Sequence, residues 1–421
     1  MLARLLCILG SFPPGVVIGA AVLLRLVFGL FWMLAVNAPP ENVPIAGDSW
    51  HDAGADGYLQ IARTLLVSGE YAFEPGGVPV HNRPPVQVLL MLIFGAWLPA
   101  HWYIVWMFGS ALLSLLMLLV VRRLADDMDI SPRMQKLLLV LVGFHPYLIF
   151  ITKTTTFINA AALLLVLVVW LGFRISRKPI HYAIPAGLAM GAGALTHGTF
   201  LLMPLLAAPY ILSRRNVRVG KRLAALTMVI ICAAAVVAPW TLRNYYTFDR
   251  VIPVVTGNGY HYWKGEAVYF GGDYPMADLY VEATGRPFEE KYYGAVYPEA
   301  DAVLWNLARE DMLNRPHFIP MRLLIGSGAF FAPWDGGPKK AVASAILNVP
   351  LLLFLLYFLF RRRRSLNTEQ ITLMLLLLYI VEAFAFFVSW GSYFTMILPL
   401  MLLLTVSLAD PLTRNPAMKQ E

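Results

Sequence analysis

The stretch GVVIGAAVLLRLVFGLFWMLAV, residues 15–36, decides the class of fold to which this chain belongs. It is an apolar run of about 22 residues, long enough to cross a hydrocarbon core as a helix. Val36 and Ala38 would suit a signal-peptide cleavage site, but a signal core has only roughly 7 to 15 apolar residues. We therefore interpret the run as a retained first transmembrane helix.

The composition of the whole chain also indicates a lipid environment. Of 421 residues, 59% are apolar and 14% are charged, whereas a soluble domain carries about 25% charged residues. The formal charge of +8 does not indicate nucleic-acid binding, because the basic residues form short clusters between apolar runs, as in cytoplasmic loops of membrane proteins. The two cysteines, Cys7 and Cys232, lie in or beside apolar stretches. We interpret both as buried apolar residues and expect neither a disulfide nor a cysteine metal site.

Further apolar runs follow the first, and together they predict about ten membrane spans. The runs cover residues 102–121, 137–152, 157–173, 183–196, 199–212, 223–240, 341–360, 370–388 and 394–409. Two stretches, residues 38–84 and 241–340, are too polar to lie in hydrocarbon. The sequence thus predicts an all-α polytopic membrane protein, with residues 1–410 forming one domain and residues 411–421 a short cytoplasmic tail.

Lysine and arginine clusters set the orientation, since short cytoplasmic loops are enriched in both residues. Four clusters separate the apolar runs: Arg122, Arg123, Arg133 and Lys136; Arg174, Arg177 and Lys178; Arg214, Arg215, Arg218, Lys221 and Arg222; and Arg361, Arg362, Arg363 and Arg364. If all are cytoplasmic, both termini are cytoplasmic and the two polar stretches form outer loops. Residues 86–98 then cannot cross, because about 13 residues reach about 20 Å, short of a core of about 30 Å. We expect this run to be interfacial or re-entrant, and run 318–333, which glycine and proline interrupt, to be interfacial.

The first outer loop carries the acidic candidates. Asp48, Asp52 and Asp56 lie close to His51, and residues 57–67 have apolar residues at helical spacing, which predicts an amphipathic helix directly after Asp56. The Asp56 carboxylate could cap that helix or take part in chemistry. The carboxylates and the histidine could also hold a divalent cation, although their spacing matches no cation-binding loop.

The second outer loop begins with PWTLRN, residues 239–244, and is rich in aromatic residues such as Tyr262. Aromatic residues are typical of membrane interfaces. Arg243, beside Asn244, could extend toward lipid phosphates or bind the phosphate of a lipid-linked substrate with both guanidinium nitrogens. Polar residues also lie in or near the outer ends of the predicted spans: His145, Lys153, Asn159, His197 and Glu382. Ionisable groups at membrane depth usually line a cavity or pair with each other, so these residues predict a polar cleft, unless Lys153 merely extends to the interface.

Two motifs carry a resemblance to known proteins. The first is DGY, ARTLL, GEY and RPP, in that order from Asp56 to Pro85, and the second is PWTLRN followed by VVTGNG at residues 254–259 and by Gly265. Together, on one side of the membrane, they resemble the glycosyltransferase 39-like proteins. That group includes the protein O-mannosyltransferases and the aminoarabinose transferases that modify lipid A. The spacing of helices and loops is similar over most of the chain.

The resemblance implies a GT-C fold and transfer of a sugar from a polyprenyl-phosphate donor to an acceptor on the outer face. It also implies an acidic residue of the first loop at the reaction centre, for which Asp56 is the best match and Asp48 the second. A carboxylate can accept the proton of an acceptor hydroxyl, and cations can stabilise the leaving phosphate. The candidate substrate-binding residues are Tyr58, Arg83, Lys153, His197, Arg243, Asn244 and Tyr262. The resemblance implies no nucleotide site and no cofactor, and it leaves a need for a divalent cation open.

The chain departs from the family pattern at several positions. Ile158 and Asn159 occupy the place of an acidic residue, His197 that of an arginine, and Ser392 precedes Tyr393 where many members have arginine. These differences indicate an unusual sugar or acceptor. They also leave two other functions open: a transporter or flippase of lipid-linked sugars, although no repeat symmetry supports one, and a non-catalytic factor in envelope assembly. We expect the protein in the inner membrane of a bacterium.

Overall fold

The computed structural model describes residues 12–35, 57–98, 102–271, 275–288, 297–333 and 337–413. Within these ranges the chain is helical, apart from turns, loops and one isolated antiparallel bridge between Ala72 and Pro79. The helices, numbered here in chain order, are α1 Pro14–Ala35, α2 Tyr58–Ser68, α3 Pro85–Ile93, α4 Trp102–Asp127, α5 Pro132–Gly143, α6 Pro146–Phe150, α7 Ile158–Arg174, α8 Pro179–Ala194, α9 Met203–Ser213, α10 Val219–Phe248, α11 Asn258–Phe270, α12 Met276–Thr284, α13 Pro298–Asn314, α14 Phe318–Phe331, α15 Gly337–Arg362, α16 Thr368–Phe386 and α17 Gly391–Thr413. The predicted all-α class is confirmed.

Among the described residues, six helices are long and apolar enough to cross a membrane. They are Pro14–Trp32 in α1, Trp102–Asp127, Val219–Phe248, Ala341–Arg362 in α15, Thr368–Phe386 and Tyr393–Asp410 in α17. A seventh span results if α5 and the segment Pro146–Lys153, which meet at 52°, form one bent crossing. The remaining predicted spans correspond to α7, α8 and α9, of 17, 16 and 11 residues. Because those helices are at or below the usual crossing length, fewer spans are found by length than the sequence predicts. The protein is a multi-pass membrane protein.

The bend between α5 and α6 is stabilised by a buried arginine. Breaking a helix leaves its last carbonyl oxygens without intrahelical partners, and the membrane interior offers no water to replace them. Arg25 of α1 is fully buried and donates hydrogen bonds to the carbonyls of Val142, Gly143 and Leu148, at 2.9 Å and 3.2 Å for the first and last. The guanidinium therefore satisfies the carbonyls on both sides of the break.

Of two short helices, α3 agrees with the sequence prediction and α14 does not. α3 ends after nine residues, as expected for an element that does not cross. By contrast, the predicted interruption of run 318–333 is wrong, because α14 continues through Pro320, Gly326 and Gly328. Proline is tolerated in the first turn of a helix, and Gly326 serves close packing, since a Cβ there would lie 2.5 Å from the carbonyl oxygen of Ala385.

The two ends of the bundle can be identified from α7, which runs from one to the other. At the first end, Arg174 at the end of α7 pairs with Asp127 at the end of α4, with Nε and Oδ2 2.7 Å apart. Near the end of α17, Asp410 accepts a hydrogen bond from the backbone N–H of Ser131, at 3.2 Å. At the other end, Phe157 directly precedes α7. The rings of Tyr58, His197 and Tyr393 surround Phe157, so they lie at the end opposite the Arg174 cluster. The predicted domain boundary at residue 410 stays a prediction.

Candidate functional site

The first loop enters the site through Gly57 and Tyr58. Gly57 has a φ of 69° and precedes α2 as its N-terminal cap residue, a backbone conformation that favours glycine. A Cβ at Gly57 would lie 2.4 Å from the ring of Phe73. The predicted catalytic residues Asp56 and Asp48, with His51 and Asp52, lie outside the described residues. Their roles stay predictions, and Asp56 is followed in the sequence by this capping glycine.

An aromatic cluster forms one wall of the site. The rings of Tyr58 and Phe157 are 6.5 Å apart, and Phe157 stacks on the imidazole of His197 at 4.9 Å. His197 also lies 5.6 Å from Tyr393, which stacks on Phe384 at 4.0 Å. The structure therefore brings together two predicted substrate-binding residues, Tyr58 and His197, from parts of the chain that are far apart in sequence.

Cationic side chains from both outer loops lie beside this wall. The guanidinium carbon of Arg83 is 5.9 Å from the ring centroid of Tyr58, and the Nζ of Lys264 is 4.7 Å from that of Trp390. Burial and then repulsion by Arg83 lower the pKa of Lys264. Because two cations interact across the loops, this region attracts anions.

His261 lies within electrostatic reach of both cations. Burial first, and then the positive charges of Lys264, Arg83 and His197, lower the pKa of His261 to about 3, so its imidazole is neutral at physiological pH. Its Nδ1 is buried and has no hydrogen-bond partner among the described residues. A neutral imidazole with a free ring nitrogen can donate to, or accept from, a bound substrate.

Arg243, predicted to bind phosphate, connects the two outer loops. It donates hydrogen bonds to the carbonyls of Val80 at 2.8 Å and Tyr71 at 3.4 Å. It also donates to the side chain of Asn244 at 3.0 Å, and Asn244 in turn donates to the carbonyl of Ile252 at 3.1 Å. These hydrogen bonds hold the loops, and a role of either residue in substrate binding stays a prediction.

His81 adds a second connection between the loops. It is 1% exposed, and its Nε2 contacts the hydroxyl of Thr256 in the second loop. Its ring also meets that of Phe248 edge-on at 4.9 Å. Burial, and then the charge of Arg243, lower the pKa of His81 to about 4, so this connection is made by a neutral imidazole.

Two other predicted substrate-binding residues have partners of their own. The Nζ of Lys153 lies 3.6 Å from the ring centroid of Trp32 and 4.2 Å from that of Phe150, which is a cation–π arrangement. The hydroxyl of Tyr262 donates to Asp311 at 2.8 Å. A substrate contact of either residue stays a prediction.

The remaining polar residues near the outer ends of the spans also make local contacts. Asn159 donates to the carbonyl of Ser110 at 2.9 Å, and Glu382 accepts from the hydroxyl of Ser327 at 3.2 Å. The side chain of His145 accepts from the first turn of α6. They do not by themselves form the predicted cleft.

Sequence reasoning missed Lys264 and His261. Both lie in the aromatic second outer loop, three residues apart, and this spacing places two side chains on the same face of a helix. That spacing is the signal that could have indicated them. Among the described residues no group of three or more histidine, cysteine, aspartate or glutamate side chains is arranged to hold a metal ion, and the acidic residues of the first loop lie outside them. A divalent cation therefore stays an open prediction.

Known proteins resemble this chain in part of its sequence and in its fold. Residues 83–267, somewhat less than half of the chain, match the model of glycosyltransferase family 87. The fold is similar to the crystal structure of the Archaeoglobus fulgidus oligosaccharyltransferase in the apo form, with a TM-score of 0.55, 13% identity, and coverage of 97% of this chain and 52% of that one. The GT-C fold that the sequence motifs imply is confirmed, and the family model that matches part of the chain is that of family 87.

Further solved structures are similar to the chain. The oligosaccharyltransferase AglB of Archaeoglobus fulgidus, in complex with an inhibitory peptide and a dolichol-phosphate, has a TM-score of 0.54 and 16% identity, with 97% of this chain and 52% of that chain covered. The chain thus spans about half the length of these oligosaccharyltransferases. ArnT from Cupriavidus metallidurans, bound to undecaprenyl phosphate, has a TM-score of 0.40 and 13% identity, covering 94% of this chain and 78% of that one. No curated protein sequence is significantly similar to the chain. The expected enzyme class, a GT-C glycosyltransferase, is consistent with the family match of residues 83–267 and with the fold.

Proposed function

We propose that this protein transfers a sugar from a polyprenyl-phosphate donor to a hydroxyl or phosphate group of an acceptor on the outer face of the bacterial cytoplasmic membrane. The observation that carries the proposal is that Arg83, which lies against Tyr58, and Lys264, which lies against Trp390, are within electrostatic reach of each other and of His261, at the bundle end opposite the Arg174 cluster. Basic clusters mark the cytoplasmic side of a membrane. The site therefore faces the outer side, and both termini are cytoplasmic.

The two cations suit the phosphate of the donor. Hydrogen bonds from an ionised donor to an ionised acceptor are roughly twice as strong as neutral ones. When the bond between the anomeric carbon and the phosphate oxygen breaks, negative charge grows on the phosphate. Arg83 and Lys264 would stabilise that charge in the transition state, while the neutral imidazole of His261 supplies a hydrogen bond without adding repulsion between cations.

A carboxylate of the first loop would complete the reaction. The acceptor oxygen forms a bond to the anomeric carbon, and its proton passes to the carboxylate of Asp56, or of Asp48 as the alternative. The polyprenyl phosphate leaves with the bonding electron pair. Asp56 is separated from Tyr58 only by Gly57, and the ring of Tyr58 lies against the guanidinium of Arg83. This proximity along the chain favours Asp56 over Asp48.

The donor class has support from a similar fold. The Archaeoglobus fulgidus oligosaccharyltransferase AglB was solved in complex with a dolichol-phosphate, which is a polyprenyl phosphate. The matched family segment begins at Arg83 and extends beyond Lys264, so it contains all the cationic residues of the proposed phosphate site. The sugar and the acceptor are the features left for experiment to identify.

The test uses the purified protein in lipid nanodiscs with polyprenyl-phosphate donors that carry a labelled sugar. We expect loss of label from the donor with the wild type, and loss of at least about 100-fold in rate with Asp56→Asn, as for removal of a general base. Asp48→Asn is measured in the same way, because Asp48 is the alternative carboxylate. Full transfer by both variants would contradict the carboxylate mechanism. In sealed vesicles, label that crosses the bilayer while still attached to the donor would show a flippase, and no change in the donor would refute an enzyme.

A further inference from the structure

The helix that carries Lys264 and His261 begins on a buried carboxylate. Asp301 of α13 is 6% exposed. Its Oδ2 accepts a hydrogen bond from the backbone N–H of Gly257 at 2.8 Å, and its Oδ1 accepts one from that of Tyr260 at 3.1 Å. These N–H groups belong to the first turn of α11 and its cap, where a helix has unsatisfied donors and a positive partial charge. Asp301 thus supplies from another helix the cap that α11 lacks in its own sequence.

The side of α11 toward α13 is packed tightly. A Cβ at Gly259 would lie 2.3 Å from the backbone nitrogen of Trp305, so only glycine permits this approach. One turn further, the indole of Trp263 donates to the carbonyl of Leu304 at 3.0 Å. The first half of α11 is therefore held against α13 by backbone contact, by a hydrogen bond and by the Asp301 cap.

A second side of α11 is held by Arg322 of α14. This arginine is 1% exposed and donates to Glu266 Oε2 at 2.9 Å and to the carbonyl of Tyr262. It also donates to the carbonyls of Phe386 at 2.6 Å and Phe387 at 3.0 Å. The middle of α11 is thereby fixed relative to the end of α16.

The third side carries His261 and Lys264, which are within electrostatic reach of Arg83. Loss of the cap would release the first turn of α11 from α13, and a rotation of the helix about its remaining contacts would carry this third side with it. Lys264 lies six residues after the start of α11, about 9 Å along the axis. A small rotation or shift at the cap would displace the Lys264 ammonium group from a bound phosphate.

We propose that Asp301 is a positioning residue that sets the rotation and depth of α11 and so places Lys264 and His261 against the donor phosphate. This inference rests on the proposed function, because it assumes a phosphate at Arg83 and Lys264. Asp301 does not touch the donor. Its effect passes through the backbone of α11, and errors of about 1 Å in the placement of a binding group can reduce rates by about 100-fold.

The test compares variants of Asp301 with those of Asp410, a buried aspartate that accepts hydrogen bonds at the start of α5. Asp410 is 2% exposed and lies at the opposite end of the bundle, so it controls for the loss of a buried cap. The dissociation constant of undecaprenyl phosphate, the KM and kcat for donor, and the unfolding temperature are measured for Asp301→Asn, Asp301→Ala, Asp410→Asn and Asp410→Ala in nanodiscs. Asparagine keeps one acceptor oxygen, whereas alanine keeps none.

We expect the dissociation constant and the KM to rise on the order of tenfold for Asp301→Asn and further for Asp301→Ala, because each variant displaces Lys264 from the phosphate. The Asp410 variants should change both values by less than about twofold at a similar loss in unfolding temperature. Equal effects of the Asp301 and Asp410 variants would overturn the inference while leaving the proposed function intact. A wild-type protein that neither binds undecaprenyl phosphate nor transfers sugar would overturn both. If Asp301→Ala does not fold, the two asparagine variants decide.

Discussion

Arg243 of α10 donates a hydrogen bond of 2.8 Å to the carbonyl of Val80, 163 residues earlier in the chain. Val80 belongs to the first outer loop, and Arg243 stands where the second outer loop begins. The same guanidinium lies 5.0 Å from the ring centroid of Trp240 and 5.3 Å from that of Tyr71. Arg243 therefore joins the two loops that supply the cations of the site, together with the contact between His81 and Thr256.

Replacing Arg243 by lysine should separate the loops. A lysine has one point-like ammonium group and cannot donate in the planar fork that reaches both Val80 and Tyr71. We expect Arg243→Lys to lower the free energy of unfolding by about 1 to 3 kcal/mol, because buried carbonyls lose donors. Thermal unfolding in detergent measures the loss. The matched control is Arg250→Lys, an exposed arginine that pairs with Glu299 at 3.5 Å. An equally small change in both variants would show that Arg243 does not hold the loops.

Lys264 should contribute strongly to phosphate affinity. We expect Lys264→Met to raise the dissociation constant of undecaprenyl phosphate by about 10- to 100-fold, since a hydrogen bond to a charged group contributes about 1.5 to 3 kcal/mol. Lys264→Arg, which keeps the charge, should lose less. Lys339→Met is the control, because Lys339 is an exposed lysine of α15. Unchanged binding by Lys264→Met would remove Lys264 from the proposed site.

The neutral state of His81 predicts a dependence of stability on pH. The pKa of His81 is lowered to about 4 from its ordinary value of 6.5, so between these values the unfolded chain binds a proton that the folded protein does not. Stability is then complete above about pH 6.5 and falls as the pH decreases toward 4, by up to about 3 kcal/mol. Unfolding temperatures at pH 8, 6 and 5 measure this loss.

The variant His81→Gln isolates that contribution. Glutamine keeps a polar group near Thr256 but does not titrate, whereas every other titrating group is common to both proteins. The wild type should therefore lose more stability than the variant between pH 8 and pH 5. Parallel curves for the two proteins would mean that protonation of His81 does not destabilise the fold.

Arg25 should be essential for the bent crossing. Arg25→Met keeps much of the side-chain volume but leaves the carbonyls of Val142 and Gly143 without this donor inside the membrane, whereas the carbonyl of Leu148 keeps the Thr152 hydroxyl as a donor. We expect a loss of more than about 3 kcal/mol, since each unsatisfied buried group costs about 1 to 3 kcal/mol. Thermal unfolding of Arg133→Met, at an exposed arginine of α5, provides the comparison. Similar stabilities of the two variants would contradict this role of Arg25.

Much of the architecture could be predicted from the sequence. The apolar runs correspond to helices in the structure, and the amphipathic helix after Asp56 is present as α2. Run 318–333 was misjudged, because Gly326 was interpreted as a helix interruption. Its actual role, close contact with α16, depends on a neighbour that sequence spacing does not reveal.

The candidate site could be predicted only in part. The motifs indicated Arg83 and Arg243 with equal weight, since both are arginines of outer loops. The structure shows Arg243 engaged with loop carbonyls, whereas Arg83 lies against Tyr58 near Lys264. Arg83 donates to the carbonyl of its neighbour Asn82 at 3.2 Å, whereas Arg243 donates to the carbonyls of Val80 and Tyr71, 163 and 172 residues earlier in the chain. A local sequence pattern carries no information on such distant partners.

The sequence by itself determined that the chain lies in a membrane, which stretches form helices and which loops leave the bilayer. Hydrophobicity and helix formation depend mainly on residues within a few turns of each other, so local composition suffices for them. Only the tertiary structure decided that Lys264 and His261 meet Arg83, and that Asp301 caps the helix that carries them. These contacts depend on packing between helices that are distant in the chain. A shift of a few ångströms in that packing would decide whether a side chain can reach a bound phosphate or only stabilises the fold.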